Sequence, residues 1–233
     1  MLEVKELTKR FTVHQCSRSI RGFDDVSFLV RSGEFFGLSG KSGSGKSSLI
    51  KCINRTYIPT SGEIVYSSRS MGDVNLSALP ECDILKLRSC EIGYVPQFLR
   101  VVPRVPAVDV VAEPLVKRGR KIEEAREAAS LMLERLLLPE KLFDAYPNTF
   151  SGGEQQRVNL ARGIIAGFDL LLLDEPTASL DAEAKTITAE ILQEEKDRGA
   201  TIICVSHDLS FLSRLSDRTG MMKDGRLTEV LEA

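Results

Sequence analysis

A glycine-rich segment near the N-terminus has the composition and spacing of a phosphate-binding loop. Residues 40–47 read Gly-Lys-Ser-Gly-Ser-Gly-Lys-Ser and fit the pattern G-x-x-x-x-G-K-[ST]. Glycines let the backbone close around an anion, so that successive N–H groups point at it. In such a loop Lys46 adds a positive charge near the β- and γ-phosphates, and the hydroxyl of Ser47 can bind Mg²⁺. The predicted nucleotide-binding residues are Gly40, Lys41, Ser42, Gly43, Ser44, Gly45, Lys46, Ser47 and Ser48.

Two carboxylates follow an apolar run in the last third of the chain. Residues 170–173 are four leucines, and Asp174 and Glu175 come directly after them. A strand in an open parallel sheet delivers its C-terminal residues to the crevice where ligands bind. There Asp174 suits a contact with Mg²⁺, and Glu175 suits a base that orients and polarises an attacking water. An acidic turn after a strand is common, so this interpretation depends on the phosphate loop upstream.

A third segment has the composition of an anion-binding helix start. Residues 150–155 read Phe-Ser-Gly-Gly-Glu-Gln. Ser151 can cap a helix, and the two glycines after it leave the first amides of that helix accessible. By itself the segment is better explained as a capped helix after a loop.

Three single residues add weaker signals. Gln97 follows a predicted strand and could reach the metal or the water, and His207 follows another and could donate to a γ-phosphate. Phe11 could stack on adenine. Taken one at a time, a surface amide, a structural histidine and a core phenylalanine are the better interpretations.

The spacing of apolar residues predicts alternating strands and helices around these segments. The predicted strands are residues 2–7, 24–30, 34–38, 63–66, 92–95, 170–173 and 201–205. The predicted helices are residues 46–55, 121–138, 153–166, 182–198 and 208–215, with a hairpin turn at 223–226. Residues 67–90 are polar and have no clear periodicity. In this order the phosphate loop precedes a helix, whose free N–H groups and positive dipole end face the same anion.

Composition excludes several classes of protein. The chain has 233 residues, of which 42% are hydrophobic, and a formal net charge of -2 from 31 Lys and Arg against 33 Asp and Glu. This is an ordinary globular composition, without the basic excess of a nucleic-acid-binding protein. No apolar run is long enough to cross a bilayer, so no direct membrane insertion is expected. The five cysteines are irregularly spaced, which favours reduced thiols and a cytoplasmic location.

Together and in this order, the segments resemble the ATP-binding-cassette (ABC) ATPases. Residues 40–47 match the Walker A loop, 170–175 the Walker B strand and 151–155 the signature motif. Gln97 matches the Q-loop, His207 the switch histidine and Phe11 the adenine-stacking aromatic, while the D-loop is matched by Ser179, Leu180 and Asp181. The signature departs mildly, with Phe-Ser-Gly-Gly-Glu in place of Leu-Ser-Gly-Gly-Gln, and the stacking aromatic is Phe instead of the commoner Tyr.

The resemblance implies an α/β fold and a set of site residues. It implies a P-loop NTPase (RecA-like) core with a mostly parallel sheet, an N-terminal antiparallel β part and an inserted α-helical subdomain. Residues 1–233 would form one ABC domain, with the ATP-binding core at 1–96 and 168–233 and the helical signature subdomain at 97–167. ATP and Mg²⁺ are the implied ligands. The implied catalytic residues are Glu175, His207 and Gln97, and the implied Mg²⁺ contacts are Ser47, Gln97 and Asp174.

The resemblance also implies that half of the active site comes from a second ABC module. In the family two modules pair head to tail, so that Ser151, Gly152, Gly153, Glu154 and Gln155 of one close on nucleotide held by the other. ATP favours the closed dimer, and hydrolysis releases it. The second module could be a copy of this chain or a related subunit.

A closer resemblance concerns the partner. Residues 11–15, 97–105 and 149–159 look like the ATP-binding subunits of the bacterial carbon–phosphorus lyase system. This implies other carbon–phosphorus lyase subunits as partners, and support for converting alkylphosphonate and ATP to ribose 1-alkylphosphonate 5-triphosphate. The first alternative is the ATPase subunit of a lipoprotein-release or macrolide-export transporter, which shares the Gly-Glu-Gln-Gln-Arg-Val signature. The second is a nucleotide-dependent structural clamp with little turnover, which Glu175 and His207 disfavour.

Overall fold

The secondary structure alternates between strands and helices along most of the chain. The computed structural model describes residues 1–13, 18–100 and 103–232. In these ranges the strands are β1 Leu2–Val13, β2 Arg18–Val30, β3 Phe35–Ser39, β4 Ser61–Ser68, β5 Gly72–Asn75, β6 Ile92–Val95, β7 Leu170–Asp174, β8 Thr201–Val205, β9 Arg218–Lys223 and β10 Arg226–Glu232. The α-helices are α1 Lys46–Ile53, α2 Glu81–Cys90, α3 Ala107–Lys117, α4 Ile122–Arg135, α5 Gly152–Ile164, α6 Ala182–Asp197 and α7 Leu209–Leu215.

The strands form two sheets. A four-stranded antiparallel sheet has the order β2-β1-β4-β5, and a six-stranded sheet has the order β10-β9-β3-β8-β7-β6. In the larger sheet β9, β3, β8, β7 and β6 run parallel, and β10 returns antiparallel to β9. The predicted fold class, an α/β P-loop core with an antiparallel N-terminal part and a helical subdomain, is confirmed.

The central strands β7 and β8 are apolar except for Asp174 and Thr201 at their ends, and both of their faces are buried. In β7, Leu171 and Leu173 belong to the core cluster on the side of the helices α3–α6. Leu170 and Leu172 belong to the second cluster, which the larger sheet shares with α1 and the antiparallel sheet. A parallel strand covered on both faces reads as a continuous apolar run instead of an alternating one.

The helices α3, α4 and α5 pack against one another as a helical layer. In α4 the buried residues Ala125, Ala129 and Leu133 recur at helical spacing and face the core. Between α3 and α5, a nitrogen of Arg162 lies 2.7 Å from a carboxylate oxygen of Glu113. These contacts hold α5, the helix that starts with the signature residues, against the rest of the layer.

Residues 67–90, for which no element is predicted because the sequence lacks clear periodicity, form regular structure. This stretch contains β5 and α2. Helix α2 buries only Ile84 and Leu87, so its apolar face is too narrow to stand out in the sequence. β5 is held by its hairpin pairing with β4, and its four residues are too few to show a strand pattern of their own.

Sequence analysis also left α3 unassigned. Six of its eleven residues are buried and apolar, and Pro114 lies inside the helix. Valines and an internal proline both lower intrinsic helix propensity, so packing decides this element.

Some sequence-based predictions stay untested. The boundaries of the core at 1–96 and 168–233, and of the helical subdomain at 97–167, remain predictions. Of the residues that carry the closer resemblance, those at positions 14, 15, 101 and 102 lie outside the described ranges. Within those ranges, no helix is both long enough and apolar enough to span a membrane.

Candidate active site

The phosphate loop joins the end of β3 to the start of α1, and two glycines shape it. Gly40 has a φ of 139° and Gly45 a φ of 103°, conformations that L-residues rarely adopt. A Cβ atom at Gly40 would lie 2.1 Å from the carbonyl oxygen of Met222, and one at Gly45 would lie 2.5 Å from that of Gly22. Neighbouring backbone therefore encloses the loop so closely that only glycine fits at these two positions.

Lys46 places its charge at the centre of this loop. Its Nζ donates hydrogen bonds to the carbonyl oxygens of Gly40 at 2.6 Å and Lys41 at 3.1 Å, and the residue is 4% exposed. Burial lowers the pKa of Lys46, while the nearby carboxylates of Glu175 and Asp174 act in the opposite direction. The ammonium group can thus meet an anion that enters the loop.

Ser47 and Asp174 form a pair of oxygen ligands beside the loop. The Ser47 hydroxyl donates to Oδ1 of Asp174 at 2.9 Å, and Asp174 is 1% exposed at the end of β7. Burial raises the pKa of Asp174, and the hydrogen bond from Ser47 is the largest opposing effect. A hydroxyl and a carboxylate are hard oxygen donors of the kind that Mg²⁺ uses together with waters and phosphate oxygens.

Glu175 and His207 face each other across the ends of β7 and β8. His207 Nε2 lies 3.3 Å from Glu175 Oε1, and the backbone N–H of His207 donates to Oε2 at 3.2 Å. Glu175 has a φ of 54° and donates its own N–H to the Val205 carbonyl oxygen at 2.9 Å. Burial raises the pKa of the Glu175 carboxyl, and the hydrogen bond and charge of His207 oppose this rise. A partly desolvated carboxylate of this kind is suited to general-base chemistry.

One cavity of about 300 Å³ lies between the loop, Glu175 and His207, and Ser47 connects it to Asp174, which is not part of the lining. Its lining includes the loop residues Ser42, Gly43, Ser44, Gly45, Lys46, Ser47 and Ser48, together with Phe11, Gln97, Glu175 and His207. The hydroxyl of Ser44 is buried and has no hydrogen-bond partner among the described residues, so it is available to a ligand. The glycine-lined loop, this hydroxyl and the pair Ser47–Asp174 fit a nucleoside triphosphate with Mg²⁺.

Phe11 and Gln97 both belong to the cavity lining. The Phe11 ring packs edge-on against Tyr57, with 5.3 Å between ring centroids, and Lys9 Nζ lies 5.0 Å from its centroid. Gln97 is exposed and makes no hydrogen bond within the described part of the chain. Its amide therefore lines the same cavity as Ser47 without contacting the predicted metal ligands.

The signature segment lies outside this cavity. Ser151 caps α5 through a capping box: its Oγ accepts from the Glu154 N–H at 3.4 Å, and its own N–H donates to Glu154 Oε2 at 2.7 Å. The residues 151–155 are absent from the lining of the loop cavity. The structure therefore brings Walker A, Walker B, Gln97, His207 and Phe11 together, and leaves the signature on another surface.

The D-loop packs against the signature helix within the chain. Ser179 has a φ of 67°, and a Cβ atom at Gly153 would lie 2.9 Å from the Ser179 carbonyl oxygen. Asp181 caps α6 by accepting from the Ala184 N–H at 2.8 Å, and its other oxygen lies 2.7 Å from a nitrogen of Arg157. Leu180 is buried in the core between them.

Sequence analysis missed three residues of the cavity wall, Ile20, Arg21 and Gly22. They lie on β2, where Ile20 pairs with Phe11 and Arg21 pairs with Arg10 of β1. A prediction that β2 pairs with β1 beside Phe11 could have indicated these three residues. The register of that pairing, however, is known only from the folded sheet.

Comparison with known proteins agrees with this geometry. A family model described as ABC transporter matches residues 23–178. The chain belongs to the ABC transporter family. Membership in this family implies ATP binding and hydrolysis.

Relatives within the ABC family carry names of transport proteins. The putative oligopeptide transport ATP-binding protein YkfD of Bacillus subtilis (strain 168) is 31% identical over 239 residues, which cover 100% of this chain and 70% of YkfD. The macrolide export ATP-binding/permease protein MacB of Campylobacter jejuni is 36% identical over 203 residues. That match covers 87% of this chain but only 31% of MacB, so this chain corresponds to about a third of that protein.

A solved ABC structure is similar over the whole chain. The ATP-binding cassette MJ0796, in a dimeric post-hydrolysis state bound to ADP and Pi, superimposes with a TM-score of 0.90 at 29% identity. The match covers 100% of this chain and 98% of MJ0796.

Proposed function

We propose that this ABC chain is the ATP-hydrolysing subunit of a transport complex and works as a nucleotide-gated dimer. The observation that carries the hydrolytic part is the single cavity lined by Lys46, Ser47, Glu175 and His207. The transport part is supported by the relatives, which are named as oligopeptide transport and macrolide export proteins.

Binding of the triphosphate is assigned to the loop. The backbone amides of residues 40–47 and the start of α1 surround the phosphates, and Lys46 neutralises charge at the β- and γ-positions. Ser47 and Asp174 would hold Mg²⁺, and Gln97, which lines the same cavity as Ser47, would be a further contact. When bound, the metal neutralises charge that develops on the phosphate oxygens.

Hydrolysis is assigned to Glu175 and His207. Glu175 orients a water towards the γ-phosphorus and accepts its proton as the new P–O bond forms and the bond to the β-phosphate oxygen breaks. His207 lies close enough to Glu175 to hold its carboxylate and to donate to the γ-phosphate. ADP and phosphate leave once the site opens.

Dimerisation is assigned to the signature segment. Ser151 and the amides of Gly152 and Gly153 lie outside their own chain's cavity, so a second module must present them to the bound nucleotide. The dimeric neighbour MJ0796 supports this arrangement. ATP then favours the closed pair and its hydrolysis favours opening, because only the triphosphate bridges both modules.

A second candidate places the same ATPase in the carbon–phosphorus lyase system. Its support is the sequence of residues 97–105, which begins at the cavity residue Gln97. Phe98 in this segment is 74% exposed, a large apolar side chain that is available to a partner protein. In that case, the sequence of this segment would select enzyme subunits as partners instead of membrane subunits.

Affinity capture of the tagged chain from its native cells separates the two candidates. Integral membrane permease subunits are expected among the captured proteins, and capture of phosphonate enzymes without permeases would overturn the transport assignment. The Phe98→Asp variant is expected to recover less partner than Ile58→Asp, a control at another exposed apolar residue. A clamp with little turnover is excluded if captured partners accelerate ATP hydrolysis.

A further inference from the structure

The turn that carries His207 is held by its own backbone. The N–H of Ser206 donates to the carbonyl oxygen of Leu38 at 3.1 Å, and the N–H of Asp208 donates to Ser206 Oγ at 3.0 Å. Between them, the N–H of His207 donates to Glu175. The direction of the His207 ring therefore depends on where this short turn between β8 and α7 is fixed.

Asp208 fixes the far side of the turn through three donors. Its Oδ1 accepts from Ser210 Oγ at 2.6 Å and from the Phe211 N–H at 3.1 Å, which makes it the N-cap of α7. Its Oδ2 accepts from Lys185 Nζ at 2.7 Å. The hydrogen bond from Lys185 is the largest of the effects that lower the pKa of Asp208 to about 2.

Lys185 belongs to a different element from the turn. It lies in the first turns of α6, and its N–H donates to the carbonyl oxygen of Asp181, the D-loop residue that caps this helix. The ion pair Lys185–Asp208 is therefore the side-chain link between the helix that follows the D-loop and the turn that carries His207.

We propose that Lys185 is a positioning residue for ATP hydrolysis, which holds His207 against Glu175 through its ion pair with Asp208. The inference rests on the proposed function, because it takes Glu175 and His207 as the hydrolytic pair. A partly exposed ion pair of this kind contributes little to stability. Its effect is expected in the geometry of the site, where small displacements of catalytic groups have large effects on rate.

Steady-state ATP hydrolysis by the full-length chain tests this role. The Lys185→Met variant is expected to lower kcat by about 10- to 100-fold, with the KM for ATP changed less than about twofold. Lys185→Arg, which keeps a charged donor, is expected to restore most of the rate. The matched control is Lys196→Met, because Lys196 makes an ion pair of the same 2.7 Å length with Asp217 near the other end of α6. A kcat for Lys185→Met equal to that of the control would overturn the proposal.

A double-mutant cycle tests the route through Asp208. Asp208→Asn keeps a side chain that caps α7 and removes the charge. If Lys185 acts through Asp208, the double variant has about the same kcat as Lys185→Met alone, whereas multiplied effects would contradict this route.

Two further variants keep the test decisive. If Lys185→Met does not fold, Lys185→Gln is used, and an intermediate kcat is expected while an unchanged kcat overturns the inference. If His207→Ala hydrolyses ATP normally, the proposed function of the pair fails. If His207→Ala is slow and Lys185→Met is not, only the inference about Lys185 fails.

Discussion

The side chain of Lys46 is almost fully buried, yet its proposed role is to supply positive charge to the phosphates. Its ammonium group lies between two loop carbonyls and faces the carboxylates of Glu175 and Asp174. These partners offset the cost of burying a cation, which would otherwise be large. The residue is therefore both part of the loop's structure and the main positive charge of the site.

Replacing Lys46 is expected to weaken nucleotide binding. Lys46→Ala removes the charge at the β- and γ-phosphates, and we expect ATP affinity to fall about 10- to 100-fold, as for loss of a strong charge-assisted contact. Isothermal titration with ATP and Mg²⁺ measures this. Lys51→Ala, on the same helix, is the control, and unchanged affinity in Lys46→Ala would contradict the assignment.

Replacing Glu175 is expected to separate binding from hydrolysis. Glu175→Gln keeps the shape of the side chain but removes the base, so ATP should still bind while hydrolysis falls by about 10²–10⁴-fold. Phosphate release from pre-bound ATP gives the rate. The exposed Glu183→Gln is the control, and normal turnover in Glu175→Gln would refute the role of this carboxylate.

At the scale of elements, helix α7 shows how a cap and an ion pair share one carboxylate. Asp208 accepts from the first turn of α7 and from Lys185 of α6 with different oxygens. Its pKa is about 2, below the ordinary value near 3.9 in an unfolded chain. Because the folded pKa is the lower one, ionised Asp208 stabilises the fold above about pH 4, and this stabilisation is lost as the pH falls towards 2.

The stability of Asp208→Asn should therefore depend on pH in a defined way. Asparagine still caps the helix, so the variant is expected to lose only the charge, about 1 kcal/mol of unfolding free energy at pH 7. The difference from wild type should shrink between about pH 4 and pH 2, where Asp208 becomes protonated. Urea unfolding at several pH values measures the difference, and a constant difference down to pH 3 would argue against the lowered pKa.

At the scale of the whole molecule, the signature segment is separated from the cavity that the other motifs share. The loop, Glu175 and His207 line one cavity, and Asp174 is buried beside it against Ser47, while the signature residues cap α5 outside that cavity. The proposed dimer would bring each signature to the other module's loop, because the two sites of a symmetric pair are equivalent.

Mixing two inactive variants tests this composite site if the chain forms homodimers. Lys46→Ala and Ser151→Ala should each be inactive alone. In an equal mixture, half of the dimers pair the two variants and contain one intact site, so up to roughly a quarter of wild-type activity should return. Mixing Lys46→Ala with Glu175→Gln is the control. Lys46 and Glu175 line the same chain's cavity, so every site of that mixed dimer carries one of the two changes. Activity would return only if a site combined the loop of one chain with Glu175 of the other. Equal, negligible activity in both mixtures would contradict the assignment of Ser151 to the partner's site.

The elements that depend on the spacing of residues within one short segment could be predicted from the sequence. The phosphate loop depends on glycines and a lysine within eight positions, and β7 with its two carboxylates depends on one apolar run. Helices α4 and α6 are indicated by apolar residues that recur three and four positions apart. In each case the physical determinant lies within one segment, so no contact across the chain is needed to recognise it.

Other features exist only because distant segments meet. Lys185 and Asp208 are 23 residues apart, and neither belongs to a recognisable motif with the other. Helix α2 and strand β5 are weak in isolation and are held by packing and pairing. The position of the signature outside the loop cavity likewise follows from how α5 packs in the helical layer. The sequence determined which groups could act on a nucleotide, whereas the tertiary structure decided which of them share a cavity, because that depends on the packing of two sheets and a helical layer.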